Sequence, residues 1–371
     1  MHPRRSIGGL TLVLALAPLH AQTDKPASPT PVTRAVAVYE WTGTLDHPTA
    51  ARLIPVSLFI HGHLEDAGVY LAQPIPFALQ PGNLYTIERA GQPLFALDLN
   101  TANNPHGAWV GFGRILTPAE AAAATSPHTT IPILPTEPDT TPTPPAKPEK
   151  HKKQAPQKAY VTPPTTPILD DPDRPILASG PPPTPATTPE LTSLPADLHQ
   201  AVAISDAANR PPETFAYTWP SPTTRDETLQ SLEALALPPL THYAAFNQLP
   251  IASTTPALTN AQLLAYTLSP TAAPTYILTA ESPLTTDGPI YLTLIAEPGP
   301  NSQPHLALLS ITDSTHLDRT PQLRPIDAVD PDATNHASLL FELRSQTTRQ
   351  FALYTLADGQ AQQTLLTTPI Q

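Results

Sequence analysis

Four groups of side chains in this sequence have the types and the spacing to do chemistry. The first is basic. Of six lysines, five are Lys147, Lys150, Lys152, Lys153 and Lys158, set among proline, glutamate and alanine. Ammonium groups gathered on an exposed chain attract anionic surfaces through several weak, salt-screened contacts, which points to an acidic cell-wall polymer or lipid head groups. The plainer alternative is a charge run that keeps a linker soluble. The second group is His61-Gly62-His63, followed by Glu65 and Asp66. Histidines two apart on a strand share one face, an arrangement that suits zinc, with His47 as a third ligand the fold would have to supply. Equally, His61-Gly62 reads as a hairpin apex, where polar residues are expected without any ligand. The third group is His305, His316 and His336, which lie in the same half of the chain as Ser310, Ser314 and many aspartates. A Ser-His-Asp arrangement is assembled in space, so spacing alone does not exclude one. No Gly-x-Ser-x-Gly elbow, phosphate-cradling glycine loop, His-Glu-x-x-His or dinucleotide fingerprint accompanies them.

A fourth candidate lies between 327 and 341, where Asp327, Asp330 and Asp332 precede the apolar run Leu339-Leu340-Phe341. A hard cation needs several oxygens converging from one tight loop. The segment resembles the aspartate loop of FG-GAP and VCBS-type extracellular repeats, in which carboxylates at alternate positions bind calcium. That resemblance implies calcium at Asp330, Asp332, Thr334 and Ser338. Thr334 stands where a third aspartate is usual, Ser338 where the last acid falls, and the loop glycine is missing. The competing reading is a polar hairpin loop.

The elements that would position these groups are mostly strands. From Arg34 to Leu116, short apolar runs (Ala35–Trp41, Leu53–Ile60, Gly68–Leu71, Leu84–Ile87, Pro93–Leu99, Trp109–Ile115) alternate with turn residues, the rhythm of a small antiparallel sandwich or barrel. Its aromatics, among them Tyr39, Trp41, Phe77 and Tyr85, read as core packing, with a sugar- or peptide-stacking platform as the alternative. Gly111-Phe112-Gly113 suggests a bulge or a closely approached strand. Thr117-Pro118-Ala119-Glu120 and the alanines after it could form a helical turn or two. The expected organisation is a signal peptide over 1–21, a leader over 22–33, a small β domain over 34–117, a Pro/Thr/Lys-rich disordered linker over 118–196, and a C-terminal domain over 197–371. In the last, helices over Asp197–Asn209 and from Thr224 to Pro238 precede eight strands between Leu263 and Thr367. Thr224 and Glu227 form the capping box of the second helix. The fold class expected is mainly β, two antiparallel β-rich domains with two short helices before the C-terminal sheet.

Composition narrows the function classes. The chain has 371 residues, 52 prolines, 14 glycines and no cysteine, which excludes disulfides, thiolate metal sites and cysteine nucleophiles. Its net charge of −12 disfavours nucleic acid. Arg4 and Arg5, the apolar stretch from Ile7 to Leu19 and a small residue at Ala21 read as a secretory signal cut ahead of Gln22. No later stretch approaches membrane-spanning length. The expectation is a secreted or periplasmic, non-enzymatic binding or scaffold protein of a bacterial cell envelope, needing no cofactor unless calcium binds. An extracellular hydrolase or carbohydrate-binding accessory, and a calcium-stabilised adhesion module, are the alternatives. The proline–lysine–glutamate alternation resembles the envelope-spanning segment of TonB-like proteins. Asp170-Asp171-Pro172-Asp173-Arg174-Pro175 reads as a docking peptide or a rigid turn. The whole chain resembles secreted multidomain β proteins of bacteria, which assigns no activity.

Overall fold

A computed structural model describes residues 33–124 and 188–371, except 46, 207–209, 211–212, 254 and 301–302. The expected signal, the leader up to residue 32, the lysine cluster and the 170–175 motif lie outside the described residues. What is described is mainly β, built from antiparallel sheets, with two α-helices.

Six strands close a barrel: β1 (Arg34–Gly43), β2 (Pro48–Ile60), β4 (Leu84–Arg89), β5 (Gln92–Asn103), β6 (Val110–Ile115) and β7 (His199–Ile204). They run in the ring order β1-β7-β4-β5-β6-β2 and back to β1, and β3 (His63–Asp66) adds a hairpin to β2. Alternation assigns each face. Ala35, Ala37, Tyr39 and Trp41 point inward to pack with Leu53, Leu79, Tyr85, Leu97 and Ala203, while Val36 and Val38 point outward. Tyr39 and Trp41 stack within this core, their ring centroids 5.6 Å apart.

β7 corrects the expected helix over Asp197–Asn209. His-Gln-Ala-Val-Ala-Ile carries helix-forming alanines, yet Ala201 and Ala203 fit the narrow barrel interior and Val202 and Ile204 pack outside. Burial on both faces overrides the local preference. The same strand corrects the domain boundaries: the barrel seeded by 34–117 is closed by a strand from beyond 196. The ends of the expected linker are also built into the fold. Pro118–Ala124 forms helix α1, while Ala51 donates to the Pro189 carbonyl and receives a bond from Leu191.

The rest is stacked on the barrel in layers. β12 (Gln322–Val329), β13 (Ser338–Arg344), β14 (Arg349–Ala357) and β15 (Gln360–Leu366) form one meander, and β8 (Thr259–Tyr266), β9 (Thr275–Thr285), β10 (Gly288–Pro298) and β11 (Pro304–Asp313) form another. Leu340, Phe351 and Leu353 face the outside of the barrel. Leu339, Phe341 and Tyr354, on the opposite face, meet Ile277 and Ile295 of the second meander. Helix α2 (Pro222–Phe246) covers that meander's far side with Leu232, Ala236, Leu240 and Ala244, a stripe at four-residue spacing.

Helix α2 also departs from expectation. Its cap is Ser221, whose Oγ accepts from the Thr224 amide at 3.1 Å, and the helix runs through Pro238-Pro239. Interior prolines each cost about 3 kcal/mol, but Leu240 and Ala244, both fully buried, lie beyond them and hold the last turns on the sheet. Among the described residues, no helix is long and apolar enough to cross a membrane.

The barrel and the first meander are joined by charge as well as by apolar packing. Glu40 on β1 receives hydrogen bonds from both terminal nitrogens of Arg349 on β14, one of them 3.0 Å long, from Arg52 Nε at 2.7 Å and from Gln200 Nε2 at 2.9 Å. Arg349 Nη1 also donates to Glu342 at 3.1 Å. Burial opposes the charge on Glu40, but Arg349 and Arg52 outweigh it and hold the carboxyl below its ordinary value.

Candidate functional site

A cavity of about 510 Å³ opens on the outer face of the β4–β5 hairpin. Leu84, Leu94, Phe95, Leu116 and Phe215 supply apolar wall, and Arg34, Glu88, Arg210, Glu213 and Asp330 supply charge. The turn joining the two strands is a two-residue one with both φ angles positive, 48° at Ala90 and 77° at Gly91. Gly91 is required here because a Cβ would lie 2.7 Å from the Glu213 carbonyl oxygen. The turn is clamped from two sides. Phe215 N donates to the Ala90 carbonyl at 2.8 Å, and Ala90 N donates to Asp327 Oδ2 at 2.7 Å. Strand β12 and the 213–215 segment therefore hold the cavity wall in place. Helix α1 borders the cavity opposite, its first turn fixed by Thr117 N donating to Glu120 at 2.9 Å.

An ionic chain runs along the rim. Arg34 Nε donates to Asp206 Oδ1 at 2.7 Å, and Asp206 Oδ2 lies 3.0 Å from Arg210 Nε. Arg34 Nη1 donates to the Asp330 carbonyl and stands 3.3 Å from its carboxylate. Both arginines are thus engaged by aspartates. Glu88 is left over: it is 8% exposed, yet among the described residues its carboxylate receives no hydrogen bond and has no ion-pair partner. Burial pushes its pKa up to about 7, with Arg34 opposing and Glu213, Asp206 and Asp327 adding to the rise. Burial, and then Asp330, also push Glu213 up. Asp327 is raised to about 6 because burial outweighs the amides of Ala90 and Ala328 that donate to it. The result is a half-apolar cavity containing a carboxyl that titrates near neutrality, a combination that marks binding and catalytic sites.

The other sequence candidates lie elsewhere, and Asp330, Asp332 and Thr334 stay together in one loop. Asp330 is buried and its carboxylate accepts from the amides of Thr334 and Asn335 at 3.2 and 3.1 Å, besides facing Arg34. Asp332 accepts from the Thr334 hydroxyl at 2.7 Å, and the Ser338 hydroxyl is 2.9 Å from that of Thr355. His61 sits at a hairpin apex with φ 52°, and His63 is exposed on β3. Among the described residues no three His, Asp or Glu side chains converge as a metal site. His316 Nδ1 lies 2.8 Å from Asp313 Oδ2, which also accepts from the Tyr243 hydroxyl at 2.8 Å. Burial of Asp313 is outweighed by the hydrogen bonds it receives from Thr315, His316 and Tyr243, and its pKa falls to about 2. No serine hydroxyl among the described residues bonds to a histidine. Tyr39, Trp41, Phe77 and Tyr85 are barrel core.

Of the cavity's charged residues, only Asp330 stood among the sequence candidates, and there for a cation instead of for Arg34. For two of the others a signal was present. Arg34 and Glu88 are charges at the ends of apolar strand patterns, Arg-Ala-Val-Ala-Val and Tyr-Thr-Ile-Glu, where burial is implied on both sides. Comparison of the chain with protein-family models, with curated proteins and with solved structures gave no match in any of the three.

Proposed function

We propose that this is an exported, non-enzymatic binding protein of the bacterial cell envelope that holds a small ligand in the cavity beside the β4–β5 hairpin. The cavity carries this reading: its volume is that of a small-molecule site, and its half-apolar walls carry charged groups that converge on it. The rigid frame around it supports binding over turnover, since the hairpin is clamped by β12 and by the 213–215 segment. Export rests on the amino-terminal signal pattern, and attachment to an anionic envelope surface rests on Lys147, Lys150, Lys152, Lys153 and Lys158.

Native mass spectrometry of the protein purified from an envelope fraction tests the binding role. A bound small molecule should be present on the natural chain and absent from Thr86→Phe, which fills the cavity from β4. A ligand retained equally by Thr86→Phe would remove the cavity from the proposal. Conversion of the ligand into a product would replace binding with the hydrolase alternative.

A further inference from the structure

Resting on the cavity as a ligand site, we infer that its ligand is an organic cation, a primary ammonium or guanidinium carried on an apolar stem, with the charged end at Glu88. The argument is one of charge and position. The cavity and its rim gather four acids, Glu88, Glu213, Asp206 and Asp330, against two bases, Arg34 and Arg210. Asp206 bridges the two arginines, and Arg34 serves Asp330 as well, so neither base forms an ion pair with a glutamate, and Arg34 reaches Glu88 only at longer range. Glu88 is more than nine-tenths buried, lines the cavity and has no ionic or hydrogen-bonding partner among the described residues. Wherever Glu88 is ionised, an anionic ligand would set another negative charge beside it, and a neutral ligand would leave its charge without a partner. A cation compensates it, and Leu94, Phe95 and Phe215 offer its stem an apolar wall.

The groups facing Glu88 decide how binding follows pH. Burial disfavours its ionised form, as do Asp327 on β12 and Asp206 and Glu213 on the segment after β7, while Arg34 from β1 favours it. In the empty protein Glu88 therefore keeps its proton to near neutrality, and a cation must displace that proton. Binding of the cation tightens as pH rises from 5 to 8, by roughly 1 decade for each pH unit over which Glu88 remains protonated.

Calorimetric titration of the full chain with n-hexylamine, 1-hexanol and hexanoate at pH 5, 6.5 and 8 separates the alternatives. The amine should bind at pH 8, weaken tenfold or more at pH 5, and exceed both the alcohol and the carboxylate. Glu88→Gln keeps the shape of the side chain and should weaken the amine at least tenfold at pH 8 and flatten its pH dependence, with circular dichroism unchanged. Glu213→Gln, on the rim, should weaken it less. Equal binding of hexanol or hexanoate would leave the cavity a binding site but sink the cation. Failure of all three probes to bind the folded natural chain would remove the cavity reading itself. An amine that binds Glu88→Gln as well as the natural chain would also overturn the assignment.

Discussion

At Glu88, burial and the carboxylates of Glu213, Asp206 and Asp327 act in one direction, and Arg34 alone acts in the other. Its folded-state pKa, about 7, lies above the ordinary 4.5, so the folded chain holds the proton more tightly than the unfolded chain. The stability this contributes is complete below 4.5 and is lost as pH rises through 7. Glu88→Gln carries no charge at any pH. It should therefore stabilise the protein at pH 8 by roughly 2–3 kcal/mol, since a tenfold difference in proton affinity between the two states is worth about 1.4 kcal/mol, and change nothing at pH 4.5. Urea unfolding at the two pH values measures this. A change of the same size at both would mean that packing, not ionisation, sets the effect.

Among the elements, β5 and β6 show how local sequence shapes the barrel. Their register shifts between Leu99 and Thr101, opposite Gly113. A Cβ at Gly113 would lie 2.2 Å from the Asp98 carbonyl oxygen, and one at Gly111 would meet the Leu99 and Leu79 side chains at 2.8 and 3.0 Å. The first clash is with backbone, which cannot swing away; the second is with the ends of side chains, which can. Gly113→Ala should cost roughly 2–3 kcal/mol, and Gly111→Ala less. Denaturant midpoints would show the order, and a Gly113→Ala variant as stable as the natural chain would mean that the bulge tolerates a side chain. Helix α2 teaches the opposite lesson. Its prolines forbid continuation locally, yet the buried stripe from Leu232 to Ala244 keeps one helix across them.

Across the molecule, the described residues make one compact unit in which the barrel, two meanders and α2 are stacked in turn. The barrel meets the first meander through valines and leucines, with Glu40 and Arg349 paired among them at 0% and 2% exposure. Taking one member from a buried pair strands the other, a loss of about 3–5 kcal/mol. Arg349→Met should destabilise the protein by that order, and amide hydrogen exchange should quicken in both β1 and β14. Exchange that quickened in β14 alone would show that the two layers open independently.

Much of this was legible from residues alone. Alternating apolar runs and turn pairs such as Asp358-Gly359 mark the strands of both meanders, because period-two burial and positive φ leave local traces, and Gly111-Phe112-Gly113 marks the bulge, because close approach there leaves no room for a Cβ. Export and surface attachment remain readings of composition, on residues outside those described. Tertiary structure decided the rest. His199–Ile204 becomes a strand only because a barrel needs closing, and α2 outruns its prolines only because a sheet lies beneath it. The cavity and its rim gather Arg34, Glu88, Asp206, Glu213 and Asp330 from four separate stretches of chain. Spacing cannot foretell such a meeting, since a buried charge takes its properties from neighbours that are distant in sequence and close only after folding.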